Sequence, residues 1–196
     1  MEDRNKKTIA STEHKEIKLF PYKDLFPTLH ESVFLASGVK IIGEVIIGEN
    51  SSVWYNTVIR GDVNYVKIGK ATNVQDCSML HVTNNRFPLI IGDRVTIGHS
   101  VTLHGCILKN LCLVGMNATV LDGAVIEEHA MVAAGAVVRP GFVVNSGKLA
   151  AGVPAKIVRD LTEEEITKFE NSAERYIRYT EITKESLMKN NYQIGW

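Results

Sequence analysis

Three histidines stand at spacings where their imidazole nitrogens could act together. His81 and His104 are 23 residues apart, and His99 precedes His104 by five residues. A neutral imidazole can bind a metal ion or transfer a proton near neutral pH. Three imidazole ligands with one open position are typical of catalytic zinc, because water or substrate takes the open position. Whether these side chains can meet depends on the elements that carry them.

A six-residue repeat runs through most of the chain. Ile, Leu or Val recurs at every sixth position, with three extra residues after Ile59, five extra after Leu80 and one missing after Leu103. A period of six fits neither a helix face nor an alternating strand, so it predicts short parallel strands joined by tight turns. The 17 positions of this ladder are Leu35, Ile41, Ile47, Val53, Ile59, Ile68, Val74, Leu80, Ile91, Ile97, Leu103, Leu108, Val114, Val120, Ile126, Val132 and Val138.

The pattern predicts an all-β solenoid. It resembles that of left-handed parallel β-helix proteins built from hexapeptide repeats, in which three hexads, about 18 residues, make one coil. That resemblance implies about six coils. A β-sandwich, the alternative, would show strand spacings of about 8 to 12 residues with alternating polarity. Glycine often follows a ladder residue, as at Gly69 and Gly98, and we expect backbone-permissive residues there at regular turns.

The two ends of the chain lack the six-residue period. The segment TEEE, starting at Thr162, matches a helix capping box, and apolar residues then recur at helical spacing. We therefore expect a C-terminal helix that packs along the solenoid or against a neighbouring chain. The expected organisation is an N-terminal arm and cap (1–33), the β-helix (34–145), an exit turn (146–160) and the C-terminal helix (161–190).

Counting along the repeat indicates where the histidines lie. His81 and His104 each follow a ladder residue directly, and leaving out the five inserted residues gives a separation of 18, one coil. Their strands should lie about 4.8 Å apart, so both rings could reach one ion at about 2.0–2.1 Å. His99 lies in the hexad before that of His104, on a different face of the coil, and cannot readily join that ion within one chain; a neighbouring subunit of a cyclic oligomer could supply it. The alternative is a polar ladder of His81 and His104 on the outer wall.

Two sequence segments resemble the gamma-class carbonic anhydrase family. They are IRGDVNYVKIGKATNVQDCSMLHV (59–82) and IGDRVTIGHSVTLHGC (91–106), and the likeness extends over about residues 33–159. The resemblance implies a homotrimer with Zn²⁺, or Fe²⁺ or Co²⁺, at each subunit interface. It implies that a metal-bound hydroxide hydrates CO2 reversibly to bicarbonate. It also implies that His81 and His104 come from one chain and His99 from its neighbour.

The resemblance carries further residues into the site. Arg60, Asp62 and Asp76 resemble an interfacial charge network that holds the subunits and shapes the site. Gln75 resembles the side chain that hydrogen-bonds the metal-bound water, and Tyr176 resembles a helix tyrosine near the metal face. An arginine and two carboxylates could orient metal ligands. For Arg60 and Asp62 an ordinary ion pair at a subunit seam remains the alternative.

The sequence departs from the family where active members carry acidic residues. Val63 directly follows the RGD segment, and the loop TNNRFP (83–88) has no carboxylate. We therefore expect slow proton release. Cys77 is a further departure, because many relatives have glycine at that position.

Two other functions remain open. One is an acyltransferase that uses acetyl-CoA or a related thioester, with a histidine as general base and the GVPAK turn (152–156). The other is a catalytically silent trimeric scaffold.

Composition narrows the possible partners. The chain has 196 residues, with 22 Lys and Arg against 22 Asp and Glu, so its formal charge is zero. This balance argues against nucleic acid and membrane surfaces as partners, and favours CO2, bicarbonate or another small molecule. The polar start MEDRNKK lacks the apolar region of a signal peptide, so we expect a cytoplasmic protein. Cys77, Cys106 and Cys112 fit buried, reduced thiols.

Overall fold

The computed structural model of the protein describes residues 18–190 and residue 192, so most of the expected N-terminal arm lies outside the described residues. The elements are β1 (Leu19–Phe20), β2 (Thr28–Leu29), β3 (Phe34–Leu35), β4 (Lys40–Ile47), β5 (Ser52–Val53), β6 (Val58–Ile68), β7 (Asn73–Val74), β8 (Met79–His81), β9 (Leu89–Ile91), β10 (Thr96–Ile97), β11 (Thr102–His104), β12 (Ile107–Leu108), β13 (Leu113–Val114), β14 (Thr119–Val120), β15 (Val125–Ile126), β16 (Met131–Val132), β17 (Val137–Val138), β18 (Val143–Val144), β19 (Lys148–Ala151), β20 (Lys156–Asp160) and α1 (Glu163–Lys189).

The strands form a left-handed parallel β-helix with three faces and about seven coils. The first face contains β1, β8, β11, β14, β17 and the first halves of β4 and β6. The second face contains β2, β9, β12, β15, β18 and the second halves of β4 and β6. The third face contains β3, β5, β7, β10, β13, β16 and β19, with β20 antiparallel at its end.

The fold has one coil more than the resemblance implies. The additional coil begins with β1 and β2, which pair in parallel with the two halves of β4. Both strands lie in the segment expected to be an arm and cap. Leu29 of β2 lies six residues before Leu35 and continues the ladder, but Leu19 of β1 lies ten residues before Leu29, so counting in steps of six does not reveal β1.

The ladder side chains fill the interior. All 17 are buried, the most accessible being Leu35 at 4%. The residue four positions after a ladder residue is small in many hexads, and it is also buried, as at Ala118 and Ala130. Val63 is an exception and is only partly buried, because β6 bulges outward where it turns from the first face to the second. The five inserted residues leave the coil between β8 and β9, as predicted.

The glycines that follow ladder residues have a different role from the one expected. At Gly98, an added Cβ would lie 2.7 Å from the backbone nitrogen of Met116 in the next coil. These glycines therefore let neighbouring coils approach closely. The left-handed backbone conformation occurs at other corner positions, such as Asn117 with φ 58°.

The C-terminal helix α1 starts as the capping box predicts. The Thr162 hydroxyl accepts from the Glu165 backbone N–H, and the Glu165 carboxylate accepts from that of Thr162. The helix packs on the third face against β5 and β10, burying Phe169 and Ala173. Between residues 18 and 190, no helix combines the length and apolar content that crossing a bilayer requires.

The cysteines only partly follow the expectation. Cys106 and Cys112 are buried in the solenoid interior, and burial raises the pKa of both thiols well above its usual value. Cys77 is exposed, so the expectation of a buried thiol is wrong there. Its backbone adopts the left-handed conformation, with φ 60°, at a corner of the solenoid. That conformation favours glycine, the residue expected at this position from the family pattern.

Candidate active site

The sheet register brings His81 and His104 together. Strands β8 and β11 pair in parallel, with Leu80 opposite Leu103 and His81 opposite His104. The His81 Nδ1 atom lies 3.1 Å from the His104 Nε2 atom, and the ring centroids are 5.1 Å apart. The one-coil separation inferred from counting residues is therefore correct.

Carboxylates contact the outer nitrogens of both rings. Asp62 Oδ1 lies 3.0 Å from His81 Nε2, and Asp122 Oδ1 lies 2.7 Å from His104 Nδ1. Arg60 forms an ion pair with the other oxygen of Asp62. We call these five residues the His81 corner, because they lie where the first face turns toward the second. Each imidazole is thus held between a carboxylate on one side and the second imidazole on the other.

The electrostatics of the His81 corner favour a neutral imidazole beside an ionised carboxylate. Burial lowers the pKa of His81, and the positive charge of Arg60 adds to this effect, although the hydrogen bond with Asp62 opposes it. Burial alone would raise the pKa of Asp62. Hydrogen bonds with His81 and Arg60, together with the Arg60 charge, outweigh burial and hold that pKa below its usual value. Metal ions bind the neutral form of imidazole.

The facing nitrogens fit a divalent metal ion. A tetrahedral ion about 2.0–2.1 Å from each imidazole nitrogen holds the two nitrogens about 3.3–3.4 Å apart. His81 Nδ1 and His104 Nε2 are within a few tenths of an ångström of that separation. The carboxylates on the outer nitrogens match the partners that metal-binding histidines usually have. The donor set is therefore suited to Zn²⁺, Fe²⁺ or Co²⁺.

His99 lies at another corner of the same coil as β11. Its Nδ1 atom is 2.6 Å from Asp76 Oδ2, and its side chain is 45% exposed. The backbone N–H of Tyr55 donates to Asp76 Oδ1 at 3.1 Å. His99 and Ser100 form the turn before β11 (Thr102–His104), and His104 ends that strand, so the two histidines lie at opposite ends of the first face in this coil. One chain therefore cannot bring His99 to the other two histidines, and no three-residue metal-ligating cluster occurs among the described residues.

Gln75 and Tyr176 lie on the His99 side of the solenoid. Gln75 directly precedes Asp76, is 6% exposed and donates from Nε2 to Asn73 Oδ1 at 3.1 Å. The Tyr176 ring meets the Trp54 ring edge-on at 5.7 Å. Burial raises the pKa of Tyr176, and the nearby negative charge of Asp76 adds to the effect.

The sequence-predicted residues thus fall into two groups. Arg60, Asp62, His81 and His104 belong to the His81 corner. Gln75, Asp76, His99 and Tyr176 form a second group, which we call the His99 corner, where the third face turns toward the first. The two corners bound the two edges of the first face.

Comparisons with known proteins identify the family of the chain. A family model described as bacterial transferase hexapeptide (six repeats) matches residues 26–61. Gamma carbonic anhydrase 2, mitochondrial, of Arabidopsis thaliana is 44% identical over 176 residues, 87% of this chain and 63% of that protein. The chain therefore spans less than two thirds of that relative's length. A probable carbonic anhydrase of Methanocaldococcus jannaschii is 53% identical over 153 residues, 78% of this chain and 96% of that protein. The chain belongs to the gamma-class carbonic anhydrase family.

A solved structure bears on the fold of this family member and on its possible chemistry. The X-ray structure of a putative acetyltransferase from Bacillus cereus superposes with a TM-score of 0.83 and 43% sequence identity. The match covers 86% of this chain and 97% of that one. Chains of closely similar sequence and fold thus carry both carbonic anhydrase and acetyltransferase descriptions, so the side chains of the site must decide between the two activities.

Sequence reasoning missed Asp122, which contacts His104. A carboxylate about one coil after His104 was the available signal. However, one residue is missing after Leu103, so one coil here is 17 residues and Leu103 pairs with Val120. In this register His104 is level with Leu121, and Asp122 lies one residue further along. Thr83, which donates to Asp122 Oδ1 at 2.9 Å, was missed because it lies in the inserted loop.

A cleft opens to solvent beside Asp62. It encloses about 470 Å³ and lies between the first coils and the inserted loop. Its lining includes Val63, the position that lacks the expected carboxylate, and Glu44, a carboxylate that sequence reasoning did not single out. The cleft gives solvent a route toward the His81 corner.

Proposed function

We propose that the protein catalyses the reversible hydration of CO2 to bicarbonate at a divalent metal ion shared between neighbouring subunits of a homotrimer. The observation that carries this proposal is the 3.1 Å approach of His81 Nδ1 to His104 Nε2, with a carboxylate behind each ring. The carbonic anhydrase relatives support the same reaction. We propose Zn²⁺ as the ion, with Fe²⁺ or Co²⁺ as substitutes, and a cytoplasmic location.

The placement of the two corners supports a three-fold assembly. Because both corners border the first face, a rotation that turns this face toward a common axis brings the His99 corner of one subunit to the His81 corner of the next. From β6 to β17, the outward side chains in one column of this face are uncharged, which suits contact between subunits, and Lys40 of β4 is the charged residue at the start of that column. The uncharged residues are Val58, Met79, Thr102, Thr119 and Val137.

The residues of the chain have distinct proposed roles. His81 and His104 hold the ion as neutral ligands, and His99 of the neighbouring subunit completes the set. When bound, the ion supplies a Lewis acid that brings the ionisation of water toward neutral pH. Asp62, paired with Arg60, fixes the ring of His81.

The His99 corner supplies the other half of the proposed site. Asp76 fixes the ring of His99 through the 2.6 Å contact with Nδ1. Gln75 is placed to hydrogen-bond a water molecule at the interface. Tyr176, packed on Trp54, forms part of the wall beside the site.

The acyltransferase alternative is favoured by the acetyltransferase description of the Bacillus cereus structure. A general-base histidine needs an unengaged nitrogen directed at the substrate hydroxyl or amine. Both nitrogens of His81 and both nitrogens of His104 are engaged, each by a carboxylate and by the other ring. At His81 and His104 this arrangement supports metal binding over general-base catalysis.

Metal content and hydration activity together test the proposal. Protein purified without a chelator or a polyhistidine tag is analysed by elemental mass spectrometry, and its mass in solution gives the oligomeric state. We expect about one zinc or iron per chain in a trimer, and metal-dependent CO2 hydration. Absence of metal after anaerobic reconstitution would contradict the proposal and favour the acyltransferase or the scaffold.

A further inference from the structure

The Asp122 carboxylate holds His104 from the side opposite His81. Its Oδ1 atom lies 2.7 Å from His104 Nδ1 and accepts a hydrogen bond from the Thr83 hydroxyl at 2.9 Å. We propose that Asp122 is a positioning residue that fixes the ring orientation and the tautomer of His104, and that Thr83 holds the carboxylate in place for this role.

The backbone after His104 is shaped to admit the carboxylate. Gly105 follows His104 with φ 53°, a conformation that favours glycine. A Cβ at Gly105 would lie 2.4 Å from Asp122 Oδ1 and 2.7 Å from Phe87 Cβ. Any larger residue would therefore displace either Asp122 or the inserted loop. The contact of Asp122 with His104 therefore requires a residue without a side chain at position 105.

The inserted loop fixes the second partner of Asp122. Thr83 and Phe87 form a backbone bridge, with the Thr83 N–H donating to the Phe87 carbonyl at 3.0 Å. The Thr83 hydroxyl is thereby held over the carboxylate of a coil two turns further along. The loop that interrupts the repeat thus has a structural role next to His104, although it carries no carboxylate of its own.

The tautomer follows from the hydrogen-bonding chemistry. An ionised carboxylate only accepts hydrogen bonds, so the proton of neutral His104 lies on Nδ1 and the Nε2 lone pair points toward His81. Asp62 acts in the same way on His81 Nε2, leaving the lone pair of His81 on Nδ1. The two carboxylates therefore direct both lone pairs to one point. This step rests on the metal site proposed above.

Loss of Asp122 would allow the opposite tautomer. With the proton on Nε2, His104 could donate directly to His81 Nδ1 across the existing 3.1 Å separation. That hydrogen bond would occupy both nitrogens needed for a metal ion. The expected consequence is weaker metal binding in a chain that still folds.

The test compares Zn²⁺ affinity and histidine tautomers in the full-length protein. D122N keeps the shape of the side chain, but its amide can donate from Nδ2 to His104 Nδ1, which a carboxylate cannot do, and it has no charge to favour a proton on Nδ1. We therefore expect Zn²⁺ to bind about 10- to 100-fold more weakly in competition with a chromophoric chelator. Nitrogen-15 NMR of the metal-free protein should show His104 protonated at Nδ1 in the wild type and at Nε2 in a substantial fraction of D122N. T83V should change both readouts in the same direction, by less.

A matched control separates this effect from general loss of charge. Glu127 lies in the same coil as Asp122 and pairs with Lys109, so E127Q should leave both readouts unchanged. Unchanged affinity and tautomer in D122N would overturn the proposal; if D122N does not fold, T83V decides by the same criteria. A wild type without Zn²⁺ affinity whose His104 tautomer still depends on Asp122 would contradict the proposed function and retain the positioning role.

Discussion

His81 Nδ1 and His104 Nε2 face each other at 3.1 Å across neighbouring coils, although 23 residues separate them in the sequence. The contact is set by the pairing of β8 with β11, whose interior residues Leu80 and Leu103 are fully buried. A regular sheet, and not a flexible loop, holds both rings. Removal of either imidazole should therefore leave the fold intact and abolish metal binding.

His104→Ala tests this separation of fold from metal binding. The side chain is about one third exposed and lies outside the interior ladder, so its removal leaves no interior cavity. We expect the metal content per chain to fall from about one ion to a trace, while circular dichroism and the trimer mass stay unchanged. Full metal occupancy in H104A, measured by elemental mass spectrometry, would contradict the shared site.

Mixed trimers test whether His99 acts on a neighbouring chain. H99A and H104A homotrimers should each lack complete sites. When the two variants are unfolded and refolded together, every mixed trimer should regain one complete interface, formed by His81 and His104 of an H99A chain and His99 of an H104A chain. Metal bound by the mixture, but by neither parent, is the expected result.

The control for that experiment mixes H81A with H104A, both altered at the His81 corner. No interface of such a trimer combines His81 and His104 in one chain, so mixing should restore nothing. Recovery in this control, or none with H99A and H104A despite mixed trimers shown by mass, would contradict a site shared between chains.

The parts of the structure that follow from regular spacing could be predicted from the sequence. The buried ladder and the pairing of His81 with His104 both depend only on counting residues per coil. The start of the first coil could not be found in this way, because Leu19 of β1 pairs with Ile41 but lies ten residues, not six, before Leu29 of β2. The contact of Asp122 with His104 depends on a shortened corner, which shifts the register by one residue.

The repeat pattern also did not predict which side chains at the corners of the solenoid are exposed. Cys77 was expected to be buried, but its left-handed backbone places it on an exposed corner. The fold of one chain determines that His99 lies far from His104. Which residues of a neighbouring subunit face His99 depends on how the subunits pack, and the repeat pattern carries no information on that packing.

Leu103→Ala tests the interior ladder directly beside the site. Leu103 is fully buried, and removal of such a side chain costs about 2–5 kcal/mol of unfolding free energy. Urea unfolding at a fixed protein concentration measures the loss. T102A, at an outward-facing neighbour, is the matched control and should cost much less. Equal effects of L103A and T102A would contradict the assignment of Leu103 to the interior.

Glu165→Gln tests how the helix that carries Tyr176 is anchored. Hydrogen bonds from Arg159 and from the Thr162 backbone lower the pKa of Glu165 from 4.5 to about 2. A carboxylate with a depressed folded pKa stabilises the protein above its unfolded pKa, and that contribution is lost as the pH falls toward the folded value. The difference in melting temperature between wild type and E165Q should therefore be constant above pH 4.5 and shrink toward about pH 2.

E163Q, in the same helical turn, controls for the general effect of a negative charge at the helix N-terminus. Its melting temperature should lie closer to that of the wild type than the melting temperature of E165Q does at neutral pH. A pH-independent difference between wild type and E165Q would show that the ion pair with Arg159 does not stabilise the helix start.

Val63→Glu tests whether proton release limits the proposed reaction. Hydration of CO2 produces bicarbonate and a proton, which must leave through groups near the site or through buffer. Val63 lines the solvent cleft beside Asp62, and the Asp62 carboxylate is already engaged by Arg60 and His81. The wild-type turnover number should therefore rise with buffer concentration.

In V63E a carboxylate in the cleft can transfer the proton, so the turnover number at low buffer concentration should increase several-fold while kcat/KM stays the same. V63Q has nearly the same shape without a titratable group and should behave like the wild type. Equal buffer dependence in V63E and V63Q would show that a carboxylate at this position does not assist proton release.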